Sequence, residues 1–224
     1  MQSQVDHLVI AAASLDQGIS WCRDTFGFEP TSGGEHPLMG THNRVFRVDS
    51  PAFPRAYFEI IAINPAAADP GRTRWFDLDD AAMREQLQAG PKLVHFVAST
   101  TDAAAALRAL QDQGIDRGAL VAAERPTASG VLRWKISVRA DGQRLFDGAL
   151  PTLIEWGEVH PCDNLPASRV TLASLEVSHP QAPKLRMACD TLGLRNVQVH
   201  DAPVNIAATF DTPRGTVRLS SARA

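Results

Sequence analysis

Two short β-branched runs, each with one histidine at its centre, constrain this chain more than any other feature. Residues 5–11 read V-D-H-L-V-I-A around His7, and residues 93–98 read L-V-H-F-V-A around His95. Each is followed by a polar break and a helix-like segment closed by glycine, Gly27 after the first and Gly114 after the second. A strand–helix opening that returns at so long a spacing predicts paired modules rather than a stacked solenoid. A metal-capable side chain at the matching position of each copy predicts two half-sites facing one another.

The rest of the chain fits that frame. Alternation over 5–11 sets Val5, His7 and Val9 on one face and Asp6, Leu8 and Ile10 on the other. Leu15, Ile19, Cys22 and Phe26 recur at helical spacing behind Ser14, a suitable N-cap, so a helix is predicted over 15–25. Residues 30–42 are rich in Gly and Pro and read as an ordered loop, followed by strands over 43–49 and 56–63. In the second of these Tyr57, Glu59 and Ile61 share a face. A connecting segment, 64–91, carries a helix over 79–87. The pattern then restarts with a strand over 92–98, a helix over 103–113, and strands near 119–123, 131–138 and 151–156. After a linker at 161–168 come a strand over 170–177, a helix over 184–192 and three more strands. The predicted class is therefore α+β. A first βαβββ module spans 1–63 and a second 92–160, together forming a cupped, curved sheet, and a βαβββ-like C-terminal module spans 161–224. The third module is expected to cap a sheet edge, which leaves the oligomeric state open.

Composition excludes several functions. The 224 residues carry a net charge of −3 with no basic face in prospect, so a nucleic-acid partner is not expected. No apolar run approaches the roughly 20 residues needed to cross a bilayer, and no membrane partner is expected. The start lacks the pattern of a signal peptide, and Cys22, Cys162 and Cys189 have no metal-type spacing and read as free, reduced thiols. A cytoplasmic location is expected.

Four polar residues interrupt apolar strands, His7 and Glu59 in the first module and His95 and Glu155 in the second, in the same order. Taken singly, a strand histidine is more often a satisfied core residue and a strand glutamate more often meets solvent. The matched order favours a joint site, because a buried carboxylate needs a partner and a divalent cation between two His and two Glu supplies it. Zn, Ni, Co, Mn and Fe all suit that set, so the metal's identity stays open. His36, Thr41, His42 and Asn43 make the 33–43 stretch either a binding wall or a self-capped loop. Trp134 either lines a pocket or packs in the core.

The strand order with His and Glu on first and last strands resembles the vicinal oxygen chelate superfamily, which includes glyoxalase I and the extradiol dioxygenases. Residues 33–43, G-G-E-H-P-L-M-G-T-H-N, look like the G-G-x-H-x-x-x-G-T-x-N signature of glyoxalase-like domain proteins. Y-F-E-I-I at 57–61 and L-I-E-W-G-E-V-H-P at 153–161 resemble two further landmarks. The resemblance implies a cupped cavity with a divalent metal ligated by His7, Glu59, His95 and Glu155. Glu59 and Glu155 would share the ligand and catalytic-base roles without a ranking, and His36, Thr41, Asn43 and Trp134 would contact substrate. It implies a metal-dependent lyase or isomerase acting on a small oxygenated molecule through a stabilised oxyanion. A non-catalytic small-molecule binder of the same fold and an extradiol-type dioxygenase are the alternatives.

Overall fold

The computed structural model describes residues 2–127 and 130–222. β1 (Ser3–Ala11) leads into α1 (Leu15–Phe26), β2 (Ser32–His36), β3 (Thr41–Arg47) and β4 (Tyr57–Ile63), with α2 (Ala81–Gln88) in the connection that follows. β5 (Lys92–Thr100), α3 (Ala103–Gln111), β6 (Ala119–Thr127), β7 (Gly130–Val138) and β8 (Thr152–Trp156) repeat that order. A short α4 (Pro161–Asn164) precedes β9 (Thr171–Ser178), α5 (Ala182–Leu192), β10 (Val197–His200), β11 (Asn205–Thr212) and β12 (Gly215–Ser220).

The predicted caps account for the helix ends. Ser14 Oγ accepts the Gln17 N–H, and Gly27 takes the left-handed conformation that closes α1. Asp102 accepts the Ala105 N–H at the start of α3. None of the described helices is long and apolar enough to cross a membrane.

β1 to β8 form one curled sheet in the order β2-β3-β4-β1-β5-β8-β7-β6. In each half the first strand pairs parallel with the fourth, β1 with β4 and β5 with β8. β1 and β5 then pair antiparallel with one another at the centre. The two histidine-bearing strands are thus the seam between two related halves. Leu8, Ile10, Phe58, Ile60, Phe96 and Leu153 lie in the core shared with the helices. Val9, Ala11, Ile61, Val94, Val97 and Ile154 lie in a second core on the concave side.

Three expectations are corrected. First, the 30–42 stretch is not all loop. Ser32–His36 is a strand paired antiparallel with β3, and a single 3-10 turn at Pro37–Met39 joins them. Glycine lowers strand propensity, but a Cβ at Gly33 would strike the Asn43 backbone, so the close approach of β3 selects glycine there. Second, β1 does not alternate strictly. Its register with β5 shifts between Val5 and His7, and the bulge sends Val5 to the helix side and brings Asp6 round beside His7. Third, the C-terminal segment keeps the βαβββ order but not the pairing of the other two. β9 is parallel to β10 and antiparallel to β11, giving a separate sheet ordered β10-β9-β11-β12. Among the described residues none of its strands pairs with an edge of the main sheet. Leu172, Leu175, Val177, Ile206, Ala208 and Phe210 bury themselves against the helix-bearing back of that sheet.

The connecting segment 64–91 also does more than connect. Its Trp75, Phe76, Leu78, Met83 and Leu87 pack into the concave core with Val9, Ile61 and Ile154. Phe76 and Asp77 both hold left-handed backbone there, and the Asp77 carboxylate accepts the Arg144 N–H and Nε–H. The cup is therefore partly filled by the chain itself.

Phe58 joins the layers, stacked on Phe46 at 4.8 Å between ring centroids and edge-on to Phe26 and Phe210 of β11. Phe58→Ala is expected to lower stability by about 3–5 kcal/mol, the range for deleting a fully buried aromatic ring. Urea unfolding followed by circular dichroism measures it. A loss under about 1 kcal/mol would show that the second, four-stranded sheet does not share this core.

Candidate active site

The concave side of the first half holds a cluster of polar groups. Asp6 is at its base, its side chain fully removed from solvent. Asp6 Oδ1 lies 2.7 Å from His7 Nδ1, while Oδ2 accepts the Trp156 Nε1–H at 2.9 Å and lies 3.0 Å from His160 Nε2. Burial alone would raise the Asp6 pKa. Hydrogen bonds from His160 and His7 outweigh it and hold the carboxyl well below the usual carboxylate range. An ionised carboxylate only accepts, so His7 carries its proton on Nδ1 and turns Nε2 toward the cavity. Tyr57 stacks on the imidazole at 4.4 Å and fixes its plane.

Glu59 of β4 stands opposite, with Oε2 3.5 Å from His7 Nε2. Its other oxygen, Oε1, accepts the Asn43 amide at 2.6 Å. Asn43 is itself fixed, because its Oδ1 accepts the Gly34 N–H at 2.8 Å. His36 lies behind it, with Nε2 3.4 Å from Asn43 Nδ2 and Nδ1 3.1 Å from Thr41 Oγ1. Since the amide nitrogen donates, His36 Nε2 accepts and the neutral ring donates from Nδ1 to Thr41. Burial, reinforced by the Arg125 charge and only partly opposed by Glu59, pushes the His36 pKa down to about 4.

His7, Tyr57, Glu59, Asn43 and His36 line a cavity of about 40 Å³ with Trp75, Phe76, Arg125, Leu132, Trp134, Ile136, Ile154 and Trp156. His7 keeps 4% exposure and Glu59 5%, so both sit deep in it. Its walls are polar on the first half and, apart from Arg125, apolar on the second. Arg125 Nη1 and Trp75 Nε1 are buried without a hydrogen-bond partner among the described residues.

The sequence-predicted residues divide sharply. His7, Glu59, His36, Asn43 and Trp134 line one cavity. Thr41 does not; it sits behind His36, 1% exposed. Glu155 points the other way. In β8, Leu153 belongs to the helix-side core and Ile154 to the concave one, so Glu155 shares the face of Leu153. There Glu155 accepts the Lys135 ammonium at 2.7 Å and the Ala103 N–H at 2.9 Å, which hold its pKa below the usual value. The β8 residue that lines the cavity is Ile154, one residue earlier. His95 is also withdrawn. Its Nδ1 lies 2.8 Å from the Gly148 carbonyl, and its Nε2 lone pair accepts the Thr152 N–H at 3.0 Å with Arg117 Nη2 3.1 Å away. Burial first, then the Arg117 charge, keeps its pKa far below the ordinary value. Asp6, His160, Tyr57 and Arg125 are not among the site residues the sequence points to, whereas Trp156, like Trp134 a residue that could either line a pocket or pack in the core, does line it. Only the D-H pair at 6–7 and the His in the 153–161 landmark hinted at the first two.

The profile of a family described as glyoxalase-like domain matches residues 5–193. The chain belongs to this family. Among solved structures, a hypothetical protein from Staphylococcus aureus is similar over 90% of this chain and 87% of that one, with a TM-score of 0.61 and 16% identity, which shows the fold. A methylmalonyl-CoA epimerase from Streptomyces coelicolor overlaps 71% of this chain and 99% of that one, with a TM-score of 0.44 and 20% identity. The epimerase from Mycobacterium tuberculosis overlaps 68% and 86%, with a TM-score of 0.39 and 18% identity. These two likenesses are too loose to bear on activity. No curated protein matches the chain.

Proteins of this fold commonly hold a divalent metal, and the four-ligand set predicted for this glyoxalase-like chain does not fit one. Glu155 is on the far side of the sheet, the His95 lone pair is spent on backbone, and Ile154 stands where a second carboxylate would project. His7 Nε2 and Glu59 Oε2 remain as two donors, and among the described residues no three His, Cys, Asp or Glu side chains are grouped to ligate a metal.

The neutral histidines set a pH dependence of stability. The unfolded chain protonates His36 near 6.5 but the folded one only near 4, so between those values the unfolded state binds more protons and stability falls as pH falls. His95 acts in the same direction. Asp6 adds to the loss in stronger acid, since its stabilisation is complete above its ordinary 3.8 and fades below it. Urea unfolding at pH 7.5 and pH 5 should differ by roughly 2 kcal/mol or more in favour of pH 7.5. His36→Gln should reduce that difference, and a flat profile in the parent protein would contradict the neutral assignments.

Proposed function

We propose that this chain is an enzyme of the isomerase or lyase type, moving a proton at a carbon next to a carbonyl of a small oxygenated substrate. The observation that carries this reading is the facing pair His7 Nε2 and Glu59 Oε2, 3.5 Å apart in a cavity whose other half is apolar apart from Arg125. Both groups are held from behind, His7 by Asp6 and Glu59 by Asn43. Reacting groups fixed in this way need no reorganisation when a substrate arrives.

In this reading Glu59, as a carboxylate, removes the proton from the carbon and leaves an enolate. In its imidazolium form His7, with Nδ1–H on Asp6, presents Nε2–H where the developing oxygen charge would be, and holds it by hydrogen bond or passes that proton to it. Asp6 accepts from Nδ1 throughout, which keeps the imidazole in one tautomer and supports its charged form. The apolar wall of Leu132, Trp134, Ile136 and Ile154 limits water at the enolate. A cavity of about 40 Å³ takes only the reacting end of a substrate, so the molecule is small or extends outward.

The apolar second half also favours a binding role without turnover, and one experiment separates the two. The protein is incubated in deuterium oxide with a panel of small α-keto and α-hydroxy compounds, and proton NMR follows loss of the α-proton. The enzyme reading expects exchange with at least one compound, reduced at least about 100-fold in Glu59→Gln, the usual scale for removing a general base. Binding of panel members with no exchange in the parent protein would leave the binding role and overturn the enzymatic one.

A further inference from the structure

We infer that the cavity selects substrates that carry a carboxylate, with Arg125 as the residue that recognises it. This deepens the function proposed above, on whose cavity it rests. Arg125 lies on β6, one end of the eight-stranded order, and its guanidinium reaches over Gly34 of β2, the other end. A Cβ at Gly34 would collide with Nη1, so glycine there makes room for the cation. The curl of the sheet thus brings its two outermost strands together and delivers a positive charge to the cavity wall.

That charge has no carboxylate of its own. Arg125 makes no salt bridge and Nη1 no hydrogen bond among the described residues, although its neighbours Glu124 and Arg133 pair with each other at 3.1 Å on the outside. The charge is felt inside, where it lowers the His36 pKa and opposes the rise at Tyr57. Trp75 is 9% exposed, lines the same cavity, and has its Nε1–H equally unpartnered. Buried donors left unmet are costly, and two on one cavity wall call for an acceptor that arrives with the ligand. A guanidinium with a free N–H edge suits a carboxylate, which accepts through two oxygens. The facing Glu59 then works on a proton-bearing carbon one or two bonds from that group.

The test is a titration with pyruvate against pyruvamide and lactate against lactamide, read by fluorescence of Trp75, Trp134 and Trp156. The acids should bind at least about tenfold more tightly than the amides, as a charge-assisted hydrogen bond implies. Arg125→Met should erase that preference. Gly34→Ala, which keeps the charge but displaces the guanidinium, should weaken acid binding several-fold. Thermal melts confirm that both variants fold. Equal affinity for acid and amide, no binding of either acid, or a preference that survives Arg125→Met would overturn the inference. Proton exchange serves as the independent readout. Acid preference without exchange would sink the enzymatic reading alone, and exchange indifferent to Arg125 and to substrate charge would sink this one alone.

Discussion

The buried carboxylate of Asp6 is the interaction on which the site and the join between the halves both depend. It accepts from His7 on its own strand, from Trp156 at the end of β8, and from His160 at the start of α4. An ion so deeply enclosed is tolerable only when its oxygens are fully engaged. The fold engages them from both halves, so the orientation of the His7 ring is set by the second half as much as by the first. Removing the carboxylate would leave three donors unmet as well as a gap, which ties catalytic geometry to the integrity of the sheet.

The architecture was legible because it rests on patterns that local chemistry enforces. Ser14 and Gly27 mark the ends of α1, the alternation Tyr57–Glu59–Ile61 orients β4, and the repeat of the histidine strands announces two halves. The first half-site followed, since His7 and Glu59 meet as the alternation required. What failed did so for definable reasons. A bulge breaks alternation without a residue type to announce it, so Asp6 was placed on the wrong face. β2 is hidden because Gly33 and Gly34 are strand-poor residues selected by crowding, Gly33 by the Asn43 backbone of β3 and Gly34 by Arg125 of β6. Arg125 was illegible altogether, because its neighbour Gly34 lies at the opposite end of the sheet.

The second half-site shows how little separates a matching motif from a matching site. His95 aligns with His7 in sequence and in pairing position, yet its lone pair is taken by the Thr152 N–H and its neighbourhood by Arg117, whose own pKa burial pulls down to about 9. Glu155 misses the cavity by one residue, and in a strand one residue is a change of face. The second half presents mainly apolar groups, with Ile136, Ile154 and Trp134 opposite His7 and Glu59. The two halves therefore divide the labour, one holding the reactive pair and the other a mostly apolar wall with Arg125 at its edge.

The covering of the sheet's back by the third module bears on how this division was possible. With β9 to β12 and three helices burying the convex face, the main sheet draws stability from that side and from the Trp75–Phe76 plug. The second half's concave positions were then free to change without unfolding the chain. Ile154 is such a position: already inside, already facing Glu59's half, and small in its demands on the backbone. A glutamate placed there would put a second acid inside the cup with no change of topology, so the distance from a one-sided reaction chamber to a two-sided metal cage is a single codon for the carboxylate plus the release of His95 from its backbone partners.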